Sequence, residues 1–174
     1  MKTKILLLLL CLSFLCCKKS EKRNNEITKI TLSTGVCGWI CPYQTIEIDS
    51  SLTLRYHGME NAKLKGYFIG KISEKLWDSI NHRFEIIDYK KFHSKYTAKA
   101  SDDTSIYLKI DYQNQQKCVK AQSSGLPDYL DNTLYWIITL KDSIKLRQTT
   151  DTLSFDHENI NHTNHPFPIL IEKK

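Results

Sequence analysis

Two cysteines four positions apart are the residues best suited to chemistry in this chain. Cys37 and Cys41 lie in the stretch GVCGWICPYQ, and Pro42 follows the second cysteine. A turn can bring the Cα atoms of such a pair within the roughly 4.4–6.8 Å that a disulfide needs. The same spacing brings two thiols together, and thiolates bind soft metals or take part in redox exchange. The stretch therefore has three interpretations: a disulfide that pins a loop, a metal site, or a redox site.

The disulfide is the favoured interpretation, because thiols tend to pair in an oxidising compartment outside the cytosol, and the N-terminal sequence considered below indicates export to one. Cys118 is left over, so a bridge from Cys118 to Cys37 or Cys41 is a second arrangement. Thiol redox catalysts usually carry Cys-x-x-Cys at the start of a helix, where the helix dipole lowers the thiol pKa. This loop has an extra residue and a strand-like pattern behind it. Trp39, inside the loop, is predicted to cover the disulfide, with recognition of a ligand as the alternative.

The alternative function is metal or thiol-redox handling at Cys37 and Cys41. The order Cys-x-x-x-Cys-Pro resembles the loop of the Sco-type copper chaperones, and this resemblance implies copper binding. In that family a helix follows the loop, whereas residues 43–56 of this chain alternate with the period of β-strands. We therefore favour no metal and expect no cofactor.

Two further groups of polar residues have the right chemistry but a simpler explanation. His157, His162 and His165 offer three imidazoles for zinc or nickel, but their spacing matches no closed zinc site, so we predict a solvated tail. Asp102 and Asp103 are a candidate calcium pair or binding pair, and they are predicted to end a loop before a strand. The usual hydrolase, metalloprotease and phosphate-loop motifs are absent from the sequence, so we lean against an enzyme.

The N-terminus predicts a lipid anchor. The apolar run Ile5–Leu15 is only about 16 Å long as a helix, against about 30 Å of bilayer hydrocarbon, and it fits an export signal. It closes on two cysteines before the chain becomes polar, and this pattern resembles the lipobox of bacterial lipoproteins. The resemblance implies that Cys17 carries the lipid and becomes the mature N-terminus. Cys16 is the alternative, because Phe14 stands where the box prefers Leu.

Charge argues against nucleic acid as a partner. The first 16 residues contain Lys2 and Lys4 and no acid, so their removal lowers the formal charge from +6 to +4. The rest of the sequence has no dense basic block. The expected partners are the membrane, through the anchor, and an envelope protein or a small ligand. Residues 18–21 lack the acidic run of surface-exported lipoproteins, so we expect an outer-membrane anchor and a domain that faces the periplasm.

Hydrophobic periodicity predicts both strands and helices. Alternation and strand-like composition predict strands at 27–32, 43–49, 52–56, 64–69, 106–112 and 117–122, and 143–148 is a candidate for a further strand. Apolar residues at three- and four-residue spacing predict helices at 73–87 and 127–140, and 90–104 is predicted to be a polar loop. The fold class is therefore α+β, with a mainly antiparallel sheet of about five or six strands in hairpins and two packed helices.

Composition divides the chain into four segments. Residues 1–16 are predicted to be the signal peptide, and 17–26 the lipidated cysteine with a polar tether. Residues 27–148 have the length and apolar content of a single domain. Residues 149–174 are predicted to be a polar extension.

Several short motifs resemble a known family. They are Thr34-Gly35 with Cys37-Gly38-x-x-Cys41-Pro42, His57-Gly58, Gly66-Tyr67-Phe68, Ser101-Asp102-Asp103 and Gly125-Leu126-Pro127. They resemble the Bacteroidota lipoprotein domains grouped as domain of unknown function 6438, over about Ile27 to Leu140. The resemblance implies the fold and the envelope location and no reaction. We therefore expect a lipid-anchored envelope domain that binds or supports another molecule without catalysis.

Overall fold

The computed structural model describes residues 26–35, 37, 40–98 and 103–155. These residues form one sheet of eight strands and two α-helices. The strands are β1 (Ile27–Gly35), β2 (Gln44–Asp49), β3 (Thr53–Gly58), β4 (Gly66–Lys71), β5 (Lys95–Tyr96), β6 (Ser105–Tyr112), β7 (Gln115–Gln122) and β8 (Arg147–Thr149). The helices are α1 (Glu74–Ile86) and α2 (Asp128–Ser143), and short 3-10 turns lie at Tyr89–Lys91 and Ser123–Gly125. The strand order is β5-β7-β6-β1-β2-β3-β4-β8, and only β5 and β7 pair in parallel.

The α+β class and the mainly antiparallel sheet are confirmed, but the predicted number of strands is wrong. The described residues form eight strands instead of five or six. The short edge strands account for the difference, since β5 has two residues and β8 has three, of which the candidate strand at 143–148 covers two. β5 lies inside the segment predicted to be a polar loop. Two or three residues are too few to show alternation, so such strands become visible only through their pairing with a neighbour.

One face of the sheet is apolar and packs against both helices. In β1, Ile30 and Leu32 are 0% and 1% exposed, and they belong to one apolar cluster with Phe84 of α1 and Ile137 of α2. Burial of one such side chain contributes about 1.5–3 kcal/mol. The helical spacing seen in the sequence therefore identified the two faces that build this core.

The opposite face of the sheet is polar. The hydroxyl groups of Ser33 and Thr45 form a hydrogen bond of 2.9 Å with each other. The Thr31 hydroxyl donates to the Glu47 carboxylate at 3.2 Å, and Arg55 donates to the same carboxylate at 3.0 Å. Glu47 is only 5% exposed, so these hydrogen bonds offset the cost of burying its charge.

The chain after β8 also contacts this polar face. Phe155 is 4% exposed, and its ring centroid lies 6.3 Å from that of His57. His57 stacks on Tyr67 of the neighbouring strand, with 3.9 Å between the ring centroids. Phe155, which lies six residues beyond β8, therefore packs against the sheet.

None of the helices within the described ranges is long and apolar enough to cross a bilayer. The predicted signal peptide, the predicted lipidation site Cys17 and its alternative Cys16 lie outside the described residues.

Candidate functional site

The sheet has two ends that differ in what lies there. We call the end at which β1 begins, next to Glu26, the tether end. We call the opposite end the loop end, and it comprises the connections 36–43, 59–65, 97–104 and 123–127. Since β1 has nine residues and strands rise about 3.3 Å per residue, about 26 Å separates the two ends.

A disulfide closes the first connection of the loop end. The sulfur atoms of Cys37 and Cys41 are at disulfide distance, and their Cα atoms are 5.9 Å apart. Cys118 has a free, partly exposed thiol. It lies on β7, opposite Lys109 of β6 in the register of the sheet. Of the two arrangements that the sequence allowed, the structure therefore has the one within the loop.

Side chains from distant parts of the sequence hold the disulfide loop against the sheet. The Thr104 hydroxyl lies 3.1 Å from the Cys41 sulfur. The Asn61 side-chain amide donates to the Cys41 carbonyl at 3.3 Å, and the Thr34 hydroxyl donates to the Pro42 carbonyl at 2.9 Å. Thr104 is 63 residues from Cys41 in the sequence, so no local pattern predicted this contact.

Two glycines allow backbone segments to approach closely at the loop end. A Cβ atom on Gly58 would lie 1.6 Å from the Leu64 carbonyl oxygen, which is a severe clash. A Cβ atom on Gly125 would lie 2.7 Å from the Thr97 carbonyl carbon. The two positions therefore require glycine for space, because neighbouring backbone cannot yield as a flexible side chain can.

The segments that carry the family resemblance converge at the loop end. Gly58 at the end of β3 pairs with Gly66 at the start of β4. Asp103 accepts a hydrogen bond from the hydroxyl of Ser124, which is next to Gly125. Antiparallel pairing brings these segments to the same end as the disulfide, although long stretches of sequence separate them.

A large apolar side chain, that of Ile40, projects from this end into solvent. Ile40 is 82% exposed and lies within the ring that the disulfide closes. A single exposed apolar residue is common on protein surfaces. Its position on a covalently closed loop makes it a candidate contact.

The other candidate residues divide into one that the structure describes and several that it does not. Asp103 is hydrogen-bonded to Ser124 within the loop end. Trp39, Asp102, His157, His162 and His165 lie outside the described residues. Within the described ranges, no three side chains of His, Cys, Asp or Glu lie close enough to hold a metal ion.

The tether end has a shallow pocket with a different character. Its volume is about 260 Å³, and it is lined by Glu26, Glu85, Asp88, Tyr89 and Lys90. Lys90 forms an ion pair with Glu26, and Lys91 forms one with Asp88 at 2.6 Å. Burial, and then the neighbouring Glu26 charge, raise the pKa of the Tyr89 phenol, which stays neutral. These ion pairs join charged side chains of the pocket and its rim to one another and do not point to a ligand. We therefore place the candidate site at the loop end.

Comparison with known proteins agrees with the resemblance seen in the sequence motifs. None of the curated proteins matches the chain significantly. A family model described as "Domain of unknown function (DUF6438)" matches residues 28–141. The match runs from β1 into α2, and it includes all four connections of the loop end. Because it covers more than half of the chain, the protein belongs to this family of domains of unknown function.

Proposed function

We propose that this protein is a lipid-anchored domain of the bacterial cell envelope that binds an envelope protein or a small ligand through its loop end. In this proposal it catalyses no reaction on that partner. The observation that carries the proposal is the convergence of the family motifs at the loop end. Binding residues are disproportionately found on loops held by a rigid scaffold. Among strands that are consecutive in the sequence and adjacent in the sheet, the longest links lie at this end.

The chemistry of the convergent residues favours binding over catalysis. Gly58 and Gly125 shape the backbone, while Thr34 and Asn61 donate hydrogen bonds to the loop of Cys41 and Pro42. These contacts fix the shape of a surface. A surface of fixed shape is the requirement for binding with little loss of conformational entropy.

The proposed anchor gives this surface a direction. Cys17 is the proposed lipidation site, and residues 18–26 link it to the start of β1 at the tether end. The loop end lies about 26 Å further along the strands, so a partner in the periplasm meets it without obstruction by the membrane. Two or more acyl chains hold a protein stably on a membrane, whereas one chain is marginal. We propose the outer membrane, with the domain facing the periplasm.

The proposal is tested by photo-crosslinking in cells of a Bacteroidota host that express the full chain. A benzoyl-phenylalanine residue replaces Ile40 in one variant and Ile86 in the other. The two isoleucines are a matched pair, since they are 82% and 68% exposed but lie at the loop end and on α1. We expect a discrete adduct at position 40 and none at position 86, detected by mass spectrometry.

The anchor is tested in the same cells. Wild type and Cys16→Ala are expected in the membrane fraction with a bound acyl chain, whereas Cys17→Ala is expected to lose it. An adduct at position 86 alone would move the binding surface to the helices. Acylation that survives Cys17→Ala and is lost in Cys16→Ala would move the anchor by one residue.

A further inference from the structure

The polar face of the sheet carries more positive than negative charge. Residues that pair across neighbouring strands have their side chains on the same side of the sheet. Three acidic side chains of the strands lie on the polar face: Glu47, Asp49 and Asp111. Seven basic side chains of the strands lie on it: Lys29, Arg55, Lys71, Lys95, Lys109, Lys120 and Arg147. The strands therefore give this face an excess of four positive charges.

This excess is a property of the whole surface and does not mean that its cations are unpaired. Arg55 forms an ion pair with Glu47 at 3.0 Å. Lys29, Lys95 and Lys109 each have a further interaction, so none of them is free. The net charge of a surface still selects its partners, because a segment of opposite sign is attracted to it and a segment of the same sign is repelled.

Side chains at the centre of the polar face are buried, although both helices pack against the other face. Thr31, Ser33 and Thr45 are at most 1% exposed, and Glu47 and Lys109 are 5% and 9% exposed. An antiparallel sheet with its helices on one face commonly leaves the other face solvated. Burial of short hydroxyl side chains at the centre of this face therefore indicates a covering segment.

The chain that follows Phe155 starts on this face and has a complementary charge. Phe155 is buried beside His57 of β3, six residues beyond β8. The sequence of residues 156–172 is DHENINHTNHPFPILIE, which contains no Lys or Arg. It contains three acids: Asp156, Glu158 and Glu172. Its Asn, Thr and His side chains can form hydrogen bonds with hydroxyl and charged groups such as those of the polar face.

We propose that residues 156–172 bind across the polar face of their own chain, with Phe155 as the fixed start and the three acids near the cations of that face. The segment is long enough, because it spans about 56 Å when extended and the five strand spacings from β3 to β5 span about 24 Å. Phe155 holds the segment beside its binding surface, so binding is intramolecular and occurs at a high effective concentration. The bound segment replaces the solvated tail that the sequence predicts.

This inference goes beyond the proposed binding function and does not depend on it. A bound segment closes the polar face to other molecules. The loop end stays open, because it consists of connections at the ends of the strands and not of residues on the face. The segment therefore acts as an intramolecular ligand, and it leaves the loop end as the surface that an envelope partner meets.

The first test maps the contacts by zero-length cross-linking. The full chain in detergent is treated with a carbodiimide, which joins carboxylates directly to neighbouring amines, and the linked peptides are identified by mass spectrometry. An equimolar mixture of isotopically light and heavy protein separates links within one chain from links between two chains. We expect links from Asp156 or Glu158 to lysines of the polar face, with both peptides carrying the same isotope label.

Three outcomes of the cross-linking would overturn the proposal. Linked peptides with mixed labels would assign the polar face to the tail of a second copy. Links from the two acids only to lysines outside the polar face would place the segment elsewhere. No link from either acid would mean that the segment stays away from the sheet.

The second test uses Cys118 as a reporter, because its partly exposed thiol lies on the polar face opposite Lys109. The full-length triple variant Asp156→Asn, Glu158→Gln, Glu172→Gln removes the negative charge of the segment. We expect Cys118 to react with iodoacetamide about threefold faster or more in this variant, because a released segment no longer covers the thiol. Peptide mapping measures the rate at Cys118 separately from the other cysteines.

The matched control removes three acids at exposed positions outside the polar face, by Glu60→Gln, Glu85→Gln and Asp142→Asn. It changes the net charge by the same amount and is expected to keep the wild-type rate at Cys118. A wild-type rate in the variant of residues 156–172, or an equal increase in the control, would overturn the proposal.

Discussion

The two ends of the sheet are built in opposite ways. At the tether end, three residues join β2 to β3 and two residues join β6 to β7. At the loop end, eight residues join β1 to β2 and seven join β3 to β4. The tight links use left-handed backbone, with φ values of 61° at Leu52 and 44° and 61° at Gln113 and Asn114. The long links are held by a disulfide and by hydrogen bonds from side chains of other segments.

This difference separates the parts that fix strand pairing from the parts that present a surface. A turn of two or three residues sets the register of its hairpin and leaves little exposed surface. The backbone N–H and C=O groups of a long link need hydrogen-bond partners outside the link. At the loop end, other segments supply partners for several of these groups. Long links that are held in place by other segments therefore support the proposal of binding at this end, beside the convergence of the family motifs.

The largest effect is expected from adding one methyl group at the loop end. Gly58→Ala would bring a Cβ atom to 1.6 Å from the Leu64 carbonyl oxygen, so β3 or the 59–65 link must move. We expect a loss of about 3 kcal/mol or more in the free energy of unfolding, measured by urea titration. Gly35→Ala is the control, since its nearest neighbour would be the Ser105 hydroxyl at 3.5 Å, an ordinary contact. A cost for Gly35→Ala as large as that for Gly58→Ala would contradict the close approach.

A smaller effect is expected when the disulfide is removed. In the Cys37→Ser, Cys41→Ser double variant, we expect the free energy of unfolding to fall by about 2 kcal/mol and the urea midpoint to fall by about 1 M. Trp77, which is 5% exposed, offers a fluorescence signal from the core. Cys118→Ser breaks no bridge and is expected to change stability by less than about 0.5 kcal/mol. A protein that no longer folds without the bridge would show that the loop end is part of the core.

The smallest effect is expected at the tether end and depends on pH. Partial burial opposes ionisation of Asp49, but hydrogen bonds from Ser51 and Arg55, with the Arg55 charge, outweigh it and lower the pKa of the carboxyl group. A lowered pKa in the folded state stabilises the fold above the ordinary carboxyl pKa of about 4. That stabilisation is lost as the pH falls through the folded-state pKa.

Asp49→Asn is therefore expected to cost about 1 kcal/mol at pH 7, because the ion pair is partly exposed. The difference from wild type is expected to shrink as the pH falls below about 4 and through the lowered folded-state pKa, where the carboxyl group of the wild type becomes protonated as well. Urea titrations at pH 7 and at a series of pH values below about 4 measure this, with Asp151→Asn at an exposed position as the control. A difference that stays constant with pH would mean that Asp49 acts through its shape and not its charge.

The sequence predicted the long elements well and the short ones poorly. Helix α1 was predicted from Leu76, Trp77, Ile80, Phe84 and Ile87, and the structure buries Trp77, Ile80 and Phe84. Its start was predicted from Ser73, whose hydroxyl accepts a hydrogen bond from the Leu76 amide. Strand β5 was missed, and the candidate strand at 143–148 overlapped β8 at only two residues, because pairing with β7 and β4 creates these short strands.

The candidate site was predictable only in its local part. The four-residue spacing of Cys37 and Cys41 predicted a loop disulfide, because a turn of that length brings two Cα atoms to bridging distance. No spacing in the sequence predicted the contact of Thr104 with the Cys41 sulfur or that of Asn61 with the Cys41 carbonyl.

By itself, the sequence determined the apolar faces of the long strands and helices, and it showed that Cys37 and Cys41 could pair; the structure decided between that bridge and one to Cys118. These properties depend on neighbours within one or two turns of the chain, and periodicity and spacing record them. Tertiary structure decided that the motifs meet at one end of the sheet and that Thr104 lies beside Cys41. The strand order β6-β1-β2-β3-β4 creates those contacts, and strand order follows from how the whole apolar face is buried.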